Sequence, residues 1–363
     1  MKIEDLGYDD FFESNRKKLK LDGFSVARVI AEYKGAYRVK NANGEYLAKI
    51  TGKDMYKALT RKDYPAVGDW VAISELDLEQ AVIRGILPRK TIIKRRHGDR
   101  SRVGEKNEIQ IIATNIDVAF VVESVDRNYN LNRFERYFAI AFDGGVKSAI
   151  ILNKIDLISK EELDLKMNQL KNRFSDTDII LTSNKTLEGL SELEAYILKG
   201  KTYCFLGSSG VGKSSLINKL LGKSIINTKD ISLSTGKGKH TTTGREMYFL
   251  KNGGIVIDNP GMREVGVADA DMGIENLFED INVLAEKCKY ADCTHIHEPG
   301  CEILSALERG ELDEKKYSNY ISLKKEAEYY EMNEFEKREK DRQFGKFIKK
   351  VKKGLKDSGH KDF

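Results

Sequence analysis

Thr202-Tyr-Cys-Phe-Leu-Gly-Ser-Ser-Gly-Val-Gly-Lys-Ser-Ser215 decides the fold. Five apolar or β-favouring residues run into Gly207, and Gly207 to Ser214 matches G-x-x-x-x-G-K-[ST]. Ser215 and Leu-Ile-Asn-Lys-Leu-Leu follow as a helix-like run. Gly207, Gly210 and Gly212 let the backbone of Ser208, Ser209 and Val211 wrap phosphate oxygens with N–H groups. The helix N-terminus behind them adds partial positive charge. In such a loop Lys213 neutralises the β- and γ-phosphates, and Ser214 places its hydroxyl on Mg²⁺. A strand, a phosphate loop and a helix in that order predict a P-loop nucleotide site in an α/β domain. A Gly-rich turn without a ligand is the plainer alternative, and the flanking strand and helix argue against it.

Upstream, Ala149-Ile-Ile-Leu ends in Asn153-Lys154-Ile155-Asp156, an N-K-x-D pattern. The Asp156 carboxylate can accept from both the N1–H and the exocyclic amine of guanine. Adenine offers no donor there, so the pattern selects GTP and GDP. Asn153 is expected to brace the loop and the purine edge, and Lys154 to cover the base plane. Ser183 and Asn184, ending the apolar run from Asp178, are placed where a backbone amide meets the guanine O6. Downstream, Asp258-Asn-Pro-Gly261 closes Gly-Gly-Ile-Val-Ile as D-x-x-G. Asp258 is assigned to Mg²⁺ through water, and the Gly261 amide to sensing the γ-phosphate. Between these, Ser234 to Thr243 reads as a mobile switch, with Thr242 as the expected Mg²⁺ ligand. Met262 stands where many GTPases carry a water-orienting Gln. His240 could take that task, or could simply contact phosphate or face solvent. The base motif precedes the phosphate loop, which makes the predicted GTPase domain circularly permuted.

On either side the text changes character. Phe24 to Leu87 breaks into about five short alternating runs, with Asn43-Gly44 as a hairpin signal. A small all-β barrel is expected, an OB-fold first among the candidates. Val118 to Ser124 and Ala149 to Leu152 are near-continuous apolar runs, as parallel strands buried on both faces require. After Ile274 the sequence turns helical and charged around Cys288, Cys293, His295 and Cys301. Three thiolates and an imidazole suit a closed, tetrahedral, structural Zn²⁺ site, with His297 as a competing ligand. Cys204 reads as core. The domains expected are 1–100 (lead-in and barrel), 101–277 (GTPase), 278–345 (zinc-binding helical domain) and 346–363 (basic tail).

Composition limits the function. The chain has 363 residues, 33% of them charged, and a formal net charge of +5. No run of 18 apolar residues offers a membrane span, and the acidic N-terminus lacks a signal core, so a cytoplasmic protein is expected. Lys90 to Lys106 holds seven Lys or Arg against two acids, and Lys346 to Lys356 holds six Lys and no acid. Such clusters suit an RNA backbone, or a solvated surface or tail.

Together these motifs resemble the ribosome small-subunit-dependent GTPase A family. The resemblance rests on N-K-I-D ahead of GSSGVGKSS, then GKHTTT, DNPG-M-R-E and CKYADCTHIHEPGC, after a barrel containing PAVGDWV. It spans about residues 20 to 330. It implies a three-part protein: an OB-fold, a permuted GTPase and a zinc-binding helical domain. It implies a factor in late maturation of the small ribosomal subunit that binds that subunit and its rRNA and is stimulated by it. It also implies Cys288, Cys293, His295 and Cys301 as zinc ligands and His240 as the candidate catalytic histidine. A monomer is expected. Asn259 stands where Thr is usual and Asn184 where Ala is usual. The Lys-rich C-terminus is longer than the pattern. Two other readings are a large-subunit assembly GTPase and an RNA-binding module with a slow nucleotide switch.

Overall fold

The computed structural model describes residues 1–51, 63–97, 108–126, 129–224, 226, 245–258 and 271–332, with Glu336, Glu339 and Arg342. The lead-in is structured. Helix α1 (Asp10–Lys18) starts where the Asp9 side chain accepts from the Phe11 N–H, and its last turn carries Arg16, Lys17 and Lys18. Both features favour a helix in that register. Leu6 and Phe12 pack with Trp70 and Leu87.

The barrel consists of β1 (Ser25–Tyr33), β2 (Ala36–Lys40), β3 (Glu45–Ile50), β4 (Trp70–Glu75) and β5 (Gln80–Ile86). Their order is β1-β2-β3-β5-β4, closed by β4 pairing back on β1, with β3 and β5 parallel. Alternation carries the core inward: Tyr37, Val39, Tyr46 and Ala48 are buried while Arg38, Glu45 and Leu47 face out. The Asn-Gly turn forms as its sequence predicts, with Asn41 Oδ1 accepting from the N–H groups of Asn43 and Gly44. Beyond the barrel, β6 (Ile92–His97) pairs antiparallel with β7 (Glu108–Thr114).

The central domain alternates strands and helices. In chain order they are β8 (Val118–Ser124), α2 (Leu131–Asp143), β9 (Lys147–Asn153), α3 (Lys160–Arg173), β10 (Ile179–Thr182), α4 (Leu190–Tyr196), β11 (Thr202–Leu206), α5 (Lys213–Leu221), β12 (Glu246–Phe249) and β13 (Ile255–Asp258). The sheet runs β10-β9-β8-β11-β13-β12, parallel except for β12. Two apolar clusters fill its faces, one around Phe134 and Phe138, the other around Phe120, Phe205 and Leu216. Each fully buried Phe contributes about 1.5–3 kcal/mol by leaving water. A capping box at Ser159 and Glu162 starts α3.

Helices α6 (Asp271–Leu277), α7 (Glu279–Ala285), α8 (Glu302–Glu308) and α9 (Glu314–Glu331) follow, with their own core at Phe278, Ile281, Ile303 and Tyr320. They dock on α2 and the end of α3 through ion pairs centred on the buried Glu135. Glu135 accepts from Arg173 at 2.6 Å and also from Asn319, and Arg173 reaches Asp313 at 2.6 Å. Arg136 grips Glu326 with two bonds of 2.8 and 2.7 Å.

The barrel joins the sheet edge to edge. Ala31 of β1 pairs with Glu246 of β12, and Arg245 donates to the Ile111 carbonyl at 2.9 Å. Arg28, 1% exposed, sits at the same joint. Its guanidinium donates to the carbonyls of Leu6 (2.5 Å), Gly68 (3.3 Å) and Asn115 (3.0 Å), and it lies 5.7 Å from the Trp70 ring centre. Desolvation lowers its pKa to about 10, still far above neutrality.

Candidate nucleotide site and metal cluster

β11 ends at Leu206, and the loop from Gly207 to Gly212 turns back into α5. Gly207, Gly210 and Gly212 all have positive φ, at 143°, 86° and 103°. At Gly207 a side chain would also collide with the Val122 carbonyl, and at Gly212 with the amides of Asn153 and Asn184. Glycine is therefore required at both by space as well as by conformation. Lys213 folds over the loop and donates to the carbonyls of Gly207 (2.6 Å) and Ser208 (2.7 Å). Burial pushes its ammonium down to about 8, against the pull of Asp258 and Glu123. Ser214 Oγ lies 3.3 Å from the carboxylate of Asp258 at the end of β13. Two predicted Mg²⁺ residues, one from the first turn of α5 and one from the end of β13, thus meet at one point.

The base motif adjoins this loop. Asn153, fully buried at the end of β9, donates to the Val211 carbonyl at 2.7 Å and accepts from Thr182 Oγ1 at 3.0 Å. The predicted brace is this hydrogen bond. Lys154 adopts a left-handed conformation (φ 63°) and pairs with Asp126 at 3.1 Å. Ile155 anchors the turn in the core. Asp156 accepts from Ser183 Oγ at 2.5 Å and is exposed. Asn184 donates to the Gly212 carbonyl at 3.3 Å. Its Oδ1 is buried without a protein partner among the described residues. N-K-I-D, Ser183-Asn184 and the phosphate loop therefore converge from three neighbouring parts of one sheet. His240, Thr242 and Gly261 lie outside the described residues, as do Asn259, Met262, residues 98–107 and the basic tail.

Sequence reasoning passed over Glu123 and Arg133. Glu123 is wholly buried in β8, 3.5 Å from Ser208 Oγ and 3.3 Å from Arg133 Nη1 of α2. A single acid in an otherwise apolar strand was the signal that could have found it.

In the C-terminal domain the ligand atoms of Cys288, Cys293, His295 and Cys301 lie within 4.8 Å of one another. His295 Nδ1 is 3.6 Å from the sulfurs of Cys288 and Cys301, which are 3.9 Å apart. Tetrahedral bonds of about 2.3 Å to sulfur and 2.0 Å to nitrogen require separations of roughly 3.5–3.8 Å, so the group could hold a metal ion. His295 takes φ 62°, and its carbonyl accepts from Tyr317 of α9 at 2.6 Å. The competing His297 is exposed and stands apart from the group.

A mainly parallel sheet in which the strand ending in N-K-x-D precedes the strand ending in G-x-x-x-x-G-K-[ST] in the chain defines a circularly permuted P-loop GTPase. The family model of the RsgA GTPase matches residues 86–268. The chain belongs to the RsgA GTPase family and is a GTP hydrolase. It is 39% identical over 96% of its length to a Bacteroides thetaiotaomicron relative named small ribosomal subunit biogenesis GTPase RsgA 1, covering 96% of that protein. Among solved structures it is similar to YjeQ from Thermotoga maritima, at 26% identity and a TM-score of 0.59, with 82% of this chain and 96% of that chain covered. It shares the fold of YloQ, described as a circularly permuted GTPase, at 21% identity and a TM-score of 0.59, over 85% of this chain and 97% of that one. Among the described residues no helix is long and apolar enough to cross a membrane.

Proposed function

We propose that the chain hydrolyses GTP at residues 207–215 and acts in late maturation of the small ribosomal subunit, bound to that subunit and its rRNA. The observation that carries the site is the Asn153–Val211 hydrogen bond, which joins base motif to phosphate loop in one piece. Support for the subunit comes from the name of the Bacteroides thetaiotaomicron relative.

In this reading Asp156 accepts from the guanine N1–H and amine, leaving its Ser183 partner or sharing it. Lys213 exchanges the Gly207 and Ser208 carbonyls for phosphate oxygens. Ser214 and Asp258, with Thr242, would hold Mg²⁺, which when bound offsets charge on the β- and γ-phosphates. Gly261 reads the γ-phosphate, and His240 is the candidate to orient water. Cys288, Cys293, His295 and Cys301 hold one Zn²⁺ that folds the loop between α7 and α8. The barrel with the lead-in, the GTPase domain, the zinc-binding domain and the basic tail divide at about residues 100, 277 and 345. The protein works as a cytoplasmic monomer.

GTP turnover with purified ribosomal subunits tests the proposal. Small subunits are expected to accelerate hydrolysis and large ones to leave it near the basal rate. Equal acceleration by both would overturn the subunit assignment.

A further inference from the structure

Glu123 is an ionisable side chain with no solvent exposure, in a strand otherwise built to be apolar. A carboxylate in such a place is costly unless paired, and its partners here are held at arm's length. Arg133 Nη1 stands 3.3 Å from Oε2, and Ser208 Oγ stands 3.5 Å from Oε1. Both distances lie at or beyond the long end of hydrogen bonding. The groups facing it come from two directions: Arg133 and Tyr137 from α2, and Ser208 and Lys213 from the phosphate loop and α5. None of the roles given to the nucleotide site uses this acid.

We propose that Glu123 is a positioning residue of the phosphate loop, which through Ser208 and Arg133 sets how tightly the loop holds a nucleotide. The proposal rests on the assignment of residues 207–215 as the phosphate site. Ser208 is the loop's second residue, and its hydroxyl lies 3.5 Å from the buried carboxyl, so the charge state of Glu123 acts on the first turn of the loop. The same side chain, when ionised, is a negative charge behind a loop that must receive a polyphosphate. Its ionised form opposes binding, and its neutral form lifts that repulsion.

Burial raises the Glu123 pKa to about 7, with Arg133 and Lys213 pulling it back. A bound nucleotide adds negative charge beyond Ser208 and raises it further. The bound state therefore carries more protons than the free state, and affinity must fall as pH rises past the free-state value. Lys213, also lowered by burial, titrates in the upper part of this range in the parent and the variants alike, so Glu123 is read from the difference between the parent and Glu123→Gln.

The test is the affinity of the full chain for fluorescent GDP from pH 6 to 8, for the parent, Glu123→Gln and Arg133→Gln. Titration of the GDP phosphate itself is common to all, so the ratio of affinities is read. The parent is expected to lose affinity relative to Glu123→Gln, with a slope approaching but not exceeding about tenfold per pH unit for one proton. Glu123→Gln should bind GDP several-fold tighter at pH 8. Arg133→Gln removes the cation that favours the carboxylate and should move the bend in the parent's profile to higher pH. Parallel profiles in all three proteins, whatever their stabilities, would overturn the proposal. Lys213→Ala serves as the separate check on the site. If that protein keeps full GDP affinity, the assignment of the loop fails and not the role of Glu123 alone. If Glu123→Gln does not fold, the shifted or unshifted bend in Arg133→Gln decides.

Discussion

Replacing Asn153 with Ala should separate what this residue does for the nucleotide from what it does for the fold. Its side chain makes two bonds in a site closed to water: Nδ2 to the Val211 carbonyl at 2.7 Å and Oδ1 from Thr182 at 3.0 Å. Val211 and Thr182 are 0% and 1% exposed, so the groups left behind cannot turn to solvent. An orphaned buried polar group costs about 1–3 kcal/mol, which gives a total loss of roughly 2–6 kcal/mol. Only the Val211 half belongs to the phosphate loop, and only the part of its loss that differs between free and bound protein reaches the affinity, so at 1.4 kcal/mol per factor of ten GDP affinity should fall by up to about 150-fold. Thr182→Val removes the other half alone and should lower thermal stability while leaving affinity within about twofold. Titration with fluorescent GDP and melting without nucleotide read the two effects separately. The reasoning fails if Asn153→Ala binds GDP like the parent, or if Thr182→Val loses as much affinity as Asn153→Ala.

Three further outcomes follow from other parts of the molecule. Asp156→Asn should weaken GTP and favour xanthosine triphosphate, because one acceptor of the carboxylate becomes a donor; undiminished GTP binding would remove the guanine assignment. Arg173→Met leaves Glu135, 1% exposed, with Asn319 as its remaining described partner and deletes the tie to Asp313. Breaking a buried pair in this way costs about 3–5 kcal/mol, so the C-terminal helices should become protease-sensitive first, and an unchanged cleavage pattern would contradict the docking role. Metal analysis should find one zinc per chain, retained in His297→Ala and lost or weakened in His295→Ala; the reverse order would exchange the two histidines.

Much of this was legible because it depends on local order. An apolar run before Gly207 and a helix-forming run after Gly212 can fold only one way around a phosphate loop, and Asn43-Gly44 marks its own turn. The spacing of Cys288, Cys293, His295 and Cys301 keeps these four side chains together because two short helices, α7 and α8, bracket them. What could not be read depends on distant partners. Glu123 has meaning only beside Ser208 and Arg133, which the chain supplies from different elements. The pairing of Ala31 with Glu246 leaves no trace in either strand's pattern. The lead-in reads as no more than a short charged segment because its helix buries only one residue, Phe12, and the turn before it only Leu6.

Arg28 has a consequence for the order in which the protein is made. Its three carbonyl acceptors come from Leu6, Gly68 and Asn115, and the last belongs to the segment that enters the GTPase sheet. Synthesis runs from the N-terminus, so every strand of the barrel leaves the ribosome before Asn115 does. Until then the guanidinium must keep water where that carbonyl will stand, and the barrel stays unsealed on the side that will join the sheet. The nascent barrel therefore waits about thirty residues beyond its final strand for the acceptor that closes its interior.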